Sequence, residues 1–162
     1  MKKKPNLNVN KKMKLCLTCS AGGHLTEISQ IYGCYSKYRR FFITFKREDT
    51  KELAKREKVY FVEDPSRNPM NFIRCLFQTF SILRKEKPNV IISTGAGVAI
   101  PACFLGKFFF KSKVIFIESF CRIKEPSLSG KLIYPIADLF FVQWKSLLDF
   151  YGKKAIYRGS VV

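Results

Sequence analysis

Seven short apolar runs recur along the chain, each broken off by glycine, serine, proline or charge. They cover Lys14–Cys19, Arg40–Phe45, Lys58–Val62, Asn89–Ser93, Lys113–Glu118, Asp138–Val142 and Ala155–Tyr157. Several, such as "VII" and "VIFI", are continuously apolar rather than alternating, as expected of strands covered on both faces. Helical patterns fall between them at His24–Tyr35, Thr50–Arg56, Pro69–Lys85, Val98–Phe110, Leu128–Ile136 and Trp144–Tyr151. Strand alternating with helix implies right-handed crossovers and a doubly wound parallel sheet, an α/β fold of Rossmann-like type. There is no internal repeat and no long linker.

Within Pro69–Lys85, Ile73, Leu76, Phe77, Phe80 and Leu83 share one helical stripe, most simply read as core. Met70, Phe72, Cys75 and Ile82 add apolar surface beyond that stripe, edged by Arg74, Arg84, Lys85 and Lys87. Further on, "LGKFFFKSK" sets Phe108, Phe109 and Phe110 between Lys107 and Lys111. Apolar groups rimmed by cations suit the headgroup layer of an anionic bilayer, which makes Met70, Phe72, Arg74, Phe108, Phe109 and Phe110 the candidate membrane contacts. A larger core or a subunit interface is the competing reading.

At 162 residues the chain holds one domain with a sizeable core, taken here as residues 14–162 after a disordered basic tail, 1–13. The formal charge of +18 attracts polyanions: nucleic acid, an anionic membrane surface or phosphorylated substrates. A basic nucleic-acid-binding domain is therefore the rival reading. Against it, no helix-turn-helix, zinc-finger or RNA-recognition signature is present, and the aromatics cluster with aliphatics instead of interleaving with cations. The expected partners exclude nucleic acid. No run reaches the roughly 20 apolar residues a bilayer-spanning helix needs, and no signal core follows the lysine-rich start. Peripheral attachment at the cytoplasmic face of a membrane is expected. Cys16 and Cys19 form a C-x-x-C inside a strand-like run, where side chains three apart point to opposite faces and cannot share a metal. Free thiols, no metal and no cofactor are expected.

In doubly wound sheets ligands collect at the carboxyl ends of the strands. Three unusual stretches fall there. In "SAGGH", Ser20, Gly22 and Gly23 allow a tight turn that exposes amide N–H groups at a helix start, suited to phosphate or diphosphate. His24 follows, the chain's single histidine, whose ordinary pKa of about 6.5 suits it to deprotonate a hydroxyl. In "STGAG", Thr94 offers a hydroxyl, and Gly95 and Gly97 let backbone approach a charged group. In "ESFCRIK", Glu118 ends a strand and is expected to emerge at the rim near the two glycine loops, where it could support His24, with Arg122 and Lys124 as candidate phosphate partners. Packing turns, a capping histidine and a salt-bridged acid are the bland alternatives. A nicotinamide site fits poorly, because G-x-G-x-x-G is absent and "ITFKRED" puts cations before its acids.

These motifs, and above all "ESFCRIKEPSLSGKLIYPIADLFFVQW", resemble the asparagine-linked-glycosylation protein fourteen family and its bacterial exopolysaccharide and capsule counterparts, over Lys14 to Val162. The resemblance implies the N-terminal, acceptor-side half of a split GT-B glycosyltransferase, inactive alone. Its implied partner is a donor-side subunit, similar to asparagine-linked-glycosylation protein thirteen or PssE-like, which carries most of the nucleotide-sugar site. Together such pairs transfer a sugar, N-acetylglucosamine in the eukaryotic pair, from a UDP donor to a polyprenyl-diphosphate-linked acceptor. A stop after "RGSVV" then falls where a one-chain enzyme would enter its second domain. A more distant likeness, to the one-chain enzyme acting on the lipid-linked peptidoglycan precursor, implies His24 and Glu118 near the acceptor hydroxyl. It also implies glycine loops near the diphosphate and Pro69–Lys85 against the membrane. The eukaryotic members begin with a membrane-spanning helix, whereas this chain begins with a lysine-rich tail.

Overall fold

The computed structural model describes residues 13–66 and 68–161; the basic tail expected over 1–13 lies outside them but for Met13. Seven strands form one all-parallel sheet: β1 (Lys14–Thr18), β2 (Arg39–Thr44), β3 (Val59–Phe61), β4 (Val90–Ser93), β5 (Lys113–Ile117), β6 (Leu139–Val142) and β7 (Ala155–Tyr157), in the order β3-β2-β1-β4-β5-β6-β7. All seven runs read from the sequence are strands, each ending within a residue or so of its expected bounds.

The helices are α1 (Gly23–Gln30), α2 (Tyr32–Tyr35), α3 (Glu48–Ala54), α4 (Pro69–Glu86), α5 (Ala99–Phe109), α6 (Leu128–Ile133) and α7 (Leu148–Tyr151). The single helix expected over His24–Tyr35 is broken at Ile31, and the one expected over Trp144–Tyr151 opens as a 3-10 turn, Lys145–Leu147. The last turn expected of Leu128–Ile136 is not helical, the helix giving way before Pro135.

Strand side chains alternate between two cores. Cys16, Phe41, Ile43, Ile91, Val114, Phe116 and Phe140 pack with α4, α5, α6 and α7. Leu15, Leu17, Cys19, Phe42, Ile92 and Ile117 pack with α1, α2 and α3 on the other face. Cys16 and Cys19 therefore belong to opposite layers, as their spacing requires, and all six cysteines are free thiols. Burial lifts the Cys19 thiol to about 12 and the Cys75 thiol to about 11, which keeps both protonated and unreactive. Gly106 on α5 packs closely on the sheet, where a Cβ would lie 2.0 Å from Ile91 Cδ1.

On the second face the helices cover β1 to β3, leaving β4 to β6 less protected. Ile92, Ile115, Ile117, Leu139 and Phe141 floor an apolar groove of about 330 Å³, walled by Ile31 and Cys34 and by residues 158–161. Leu139 is 42% exposed there.

The α4 seam differs from the expected stripe. Cys75, Thr79, Leu83 and Glu86 are its buried residues, with Leu76 and Phe80 partly covered, while Ile73 and Phe77 face out at 45% and 67% exposure. The period is that of the expected helix, but the buried face is rotated about one residue. Residues of middling polarity (Cys75 and Thr79) are buried, α4 packing on α5, and the bulkier Ile73 and Phe77 join Met70 on the open side.

Candidate functional site

β1 lies between β2 and β4, so the chain leaves β1 and β4 toward opposite faces of the sheet: α1 covers one face and α5 the other. That divergence opens a crevice at the carboxyl ends of two neighbouring strands. Here it is a cleft of about 620 Å³ between the start of α1, the loop 94–98 and the segment 119–129. Gly23, His24, Gly97, Arg122, Ser127 and Ser129 are among its lining residues. Loops after β1, β4 and β5 thus converge, as their positions in the sequence require.

His24 is fixed from two sides. Its main-chain carbonyl accepts the Thr94 hydroxyl at 2.8 Å, and its ring rests over Gly95. Gly95 has φ +114, and a Cβ there would stand 3.2 Å from His24 Cε1 and 3.5 Å from Ser129 Oγ. Only glycine tolerates both the backbone conformation and the close approach. His24 Nδ1 is buried without a hydrogen-bond partner, next to this bare stretch of backbone.

Thr94 was expected to meet a ligand. It is instead fully buried, its hydroxyl used to hold His24, so its role is positional. Gly22 also departs from expectation. Its N–H donates to Asp49 Oδ2 at 2.6 Å, so a carboxylate from α3 already occupies the place where a phosphate oxygen was expected. Ser20 turns its hydroxyl to the Ala21 carbonyl at 3.2 Å, away from the lining of the cleft. Gly23 and Gly97 remain at the cleft surface, where a Cβ on Gly97 would touch Pro65 Cγ at 3.0 Å.

Glu118 corrects the expectation most clearly. Its carboxylate does not emerge at the rim; the residue is fully buried. Oε1 accepts the Ser119 N–H at 2.9 Å and Oε2 the Ser127 N–H at 3.1 Å, while the Tyr151 hydroxyl donates to Oε2. Burial first, and then the neighbouring Glu118 carboxylate, raise the Tyr151 phenol far above its ordinary range, so it remains a donor. Glu118 thereby ties both ends of the segment 119–127. Its oxygens meet protein donors, and none of its bonds reaches His24. Further ties to that segment come from Trp144 Nε1, which donates to the Phe120 carbonyl at 2.7 Å, and from the Ser146 hydroxyl, which donates to that of Ile123. Arg122 stands exposed on this fastened wall.

Sequence reasoning overlooked Glu27. It lies one turn beyond His24 on α1, lines the cleft and is 4% exposed. Its signal was an acid three residues after the histidine, on the same helical face, in a chain dominated by cations. Among the described residues no group of three or more His, Cys, Asp or Glu is arranged to hold a metal ion.

The candidate membrane residues divide. Met70, Arg74, Phe108 and Phe109 are exposed, Met70 at 55% and Phe109 at 68%. Phe110 is partly covered, its ring 5.5 Å from that of Phe80, and Phe72 is also only partly exposed. Ile73 and Phe77, assigned to the core by pattern, take their places on the surface. Among the described residues no helix is long and apolar enough to cross a membrane.

A family described as "Oligosaccharide biosynthesis protein Alg14 like" matches residues 15–161. The chain is 25% identical to the "UDP-N-acetylglucosamine transferase subunit ALG14" of Homo sapiens, with 93% of this chain and 83% of that protein covered. It is 30% identical to the subunit of the same name from Candida albicans, with 93% and 82% covered. Among solved structures, MurG of Acinetobacter baumannii is similar with a TM-score of 0.73 at 12% identity, over 91% of this chain and 45% of that one. The chain therefore spans about half the length of that protein, and its fold is that of one half of a GT-B enzyme.

Proposed function

The chain belongs to the Alg14-like family of oligosaccharide biosynthesis proteins, and on that premise we propose that it is the acceptor-side subunit of a two-component UDP-sugar transferase. The observation that carries this reading is the cleft at the sheet's switch point, walled by His24, Gly97, Ser129 and Arg122. In this reading a polyprenyl-diphosphate-linked saccharide lies in the cleft. Gly23 and Arg122 meet its diphosphate, and the acceptor hydroxyl approaches His24. The His24 imidazole takes the hydroxyl proton as the oxygen attacks the anomeric carbon, and the UDP leaves on the partner's side. Thr94 and Gly95 hold the ring in place, and Glu118 holds the opposite wall.

The donor-side subunit supplies most of the nucleotide-sugar site and closes the cleft. The apolar groove over β4 to β6, beside residues 158–161, is the surface we assign to it. Exposed Met70, Ile73 and Phe77 on α4, with Phe108 and Phe109 on α5, suit peripheral seating on an anionic membrane, aided by the charge of +18. Relatives named as UDP-N-acetylglucosamine transferase subunits favour that sugar nucleotide as donor.

The test is reconstitution. Purified alone, the chain transfers no sugar from UDP-N-acetylglucosamine to a polyprenyl-diphosphate saccharide, and joint purification with a donor-side subunit restores transfer. Full activity of the lone chain would overturn the two-component reading.

A further inference from the structure

Glu27 has no proton to move in the scheme above, yet it is buried at the cleft wall. A buried carboxylate needs several donors. Glu27 has three, from two distant parts of the chain. Oε1 accepts the Ser119 hydroxyl at 3.0 Å and the Phe120 N–H at 3.1 Å, and Oε2 accepts the Gln143 amide at 3.2 Å.

Gln143, at the end of β6 and 1% exposed, continues the chain of bonds. Its Nε2 donates both to Glu27 and to the Glu118 carbonyl, the latter at 2.9 Å. Its Oε1 accepts the Val161 N–H at 3.0 Å and the Ser160 hydroxyl at 3.4 Å. The orientation is enforced: acceptors lie on the cleft side and donors on the side of residues 160–161, so turning the amide over would spoil every bond at once. A fully satisfied buried network of this kind admits one arrangement.

We propose that Glu27 and Gln143 are positioning residues that set the cleft wall Ser119–Arg122 from the segment 158–161. The inference rests on the acceptor-cleft reading for its functional meaning, though not for its geometry. Arg158, Gly159, Ser160, Val161 and Gln143 itself border the apolar groove on the far side of the sheet. A subunit seated in that groove loads the same segment, and the Val161–Gln143–Glu27–Phe120 bonds carry the displacement to the wall that faces the acceptor. Partner docking and acceptor geometry are thereby linked through one buried amide.

Three variants separate the linkage from simple stability. Val161→Pro removes the N–H that Gln143 accepts, Val161→Ala keeps it, and Gln143→Leu removes the amide altogether. In the isolated chain, amide hydrogen exchange at Ser119–Arg122 is expected to quicken about tenfold in Val161→Pro and Gln143→Leu, with Val161→Ala matching the unaltered chain. Exchange within β1 should not change. Val161→Pro, lying on a surface segment, still gives the answer should Gln143→Leu fail to fold. With the donor-side subunit saturating, Val161→Pro is expected to raise the acceptor KM about fivefold relative to Val161→Ala, which alters the same groove side chain but keeps the N–H. Equal exchange at Ser119–Arg122 in Val161→Pro and Val161→Ala would overturn the proposal. Altered exchange without transfer, even by the unaltered complex, would instead sink the acceptor-cleft reading and leave the linkage standing.

Discussion

The ring of His24 lies directly over the backbone of Gly95, with 3.2 Å between His24 Cε1 and the point where a Cβ would stand. Two loops, from the ends of β1 and β4, are locked together by that contact and by the Thr94 bond to the His24 carbonyl. Gly95→Ala would have to hold φ +114 and push the ring aside. A loss of about 1–3 kcal/mol in stability is expected from the backbone alone. Turnover of the reconstituted complex should fall by roughly tenfold or more because the ring is misplaced. Thermal unfolding and kcat measured on the same preparation check both; wild-type turnover would separate His24 placement from catalysis.

His24→Ala tests the base itself. Removing a positioned general base lowers turnover by roughly a hundredfold or more, while the chain should still bind its partner. Unchanged turnover in His24→Ala would leave the cleft as a platform without a base.

Glu118 should behave as a structural acid. Glu118→Leu strands the Ser119 and Ser127 amides and the Tyr151 hydroxyl, all buried around it, and each stranded donor costs about 1–3 kcal/mol. Gly130→Ala should act similarly, since a Cβ there would lie 2.2 Å from both Glu118 Oε2 and the Tyr151 hydroxyl oxygen. Denaturant titration should show loss of stability for both. Glu118→Leu with native stability and selective loss of kcat would restore the rim-carboxylate role that the geometry removes.

Acid should weaken the fold through Glu86 at the far end of α4. Burial raises its pKa, but hydrogen bonds from Lys58, Tyr60 and Lys14 outweigh burial and hold the carboxyl at about 2, against an ordinary 4.5. A depressed folded pKa means stability that is complete above about 4.5 and lost as pH falls toward about 2. The contribution is on the order of 3 kcal/mol at neutral pH. Asp138, held at about 2 by Lys107, the Val114 amide and Lys113 against its burial, acts with the same sign. Denaturant midpoints at pH 6 and pH 3 should differ for the native chain and differ less for Glu86→Gln. An equal drop in the two would remove Glu86 as a source.

The strands, their parallel arrangement and the crevice were legible, though not the strand order, because strand and helix periods differ sharply and because glycines mark the two loops at the switch point. The Alg14-like membership was legible from the segment around Glu118. What a side chain does at a strand end was not. Glu118 and Glu27 have the same chemistry in sequence, and neither was placed in the network it joins. The three donors around Glu118 come from residues 119, 127 and 151, and the last lies on an element remote in sequence. Periodicity gave α4 its length but left its rotation open, because Cys75 and Thr79 carry little hydropathy while Ile73 and Phe77 carry much. Packing against α5 decided which of them went inside.

That rotation makes a sharper prediction about membrane seating than the original stripe allowed. Phe77 and Phe109 are 67% and 68% exposed, and Phe80, between their helices, stacks edge-on against Phe109 at 5.9 Å. The two exposed rings therefore stand on adjoining helices, with Arg74 beside them on α4 and Lys111 just past the end of α5. Burying such rings in the headgroup layer contributes through the apolar area removed from water, and the cations add attraction that salt screens. The double change Phe77→Ser and Phe109→Ser should weaken binding to vesicles containing anionic lipid by roughly tenfold or more without loss of fold, because neither ring is core. Neutral vesicles, or a rise from 0.1 M to about 1 M salt, should weaken the native chain as well, since the screening length shrinks from about 10 Å to about 3 Å. Phe110→Ser, by contrast, removes a partly buried ring packed against the core and should lower thermal stability more than it lowers vesicle binding. Cosedimentation of the double variant at native levels would move the membrane contact away from the α4–α5 surface.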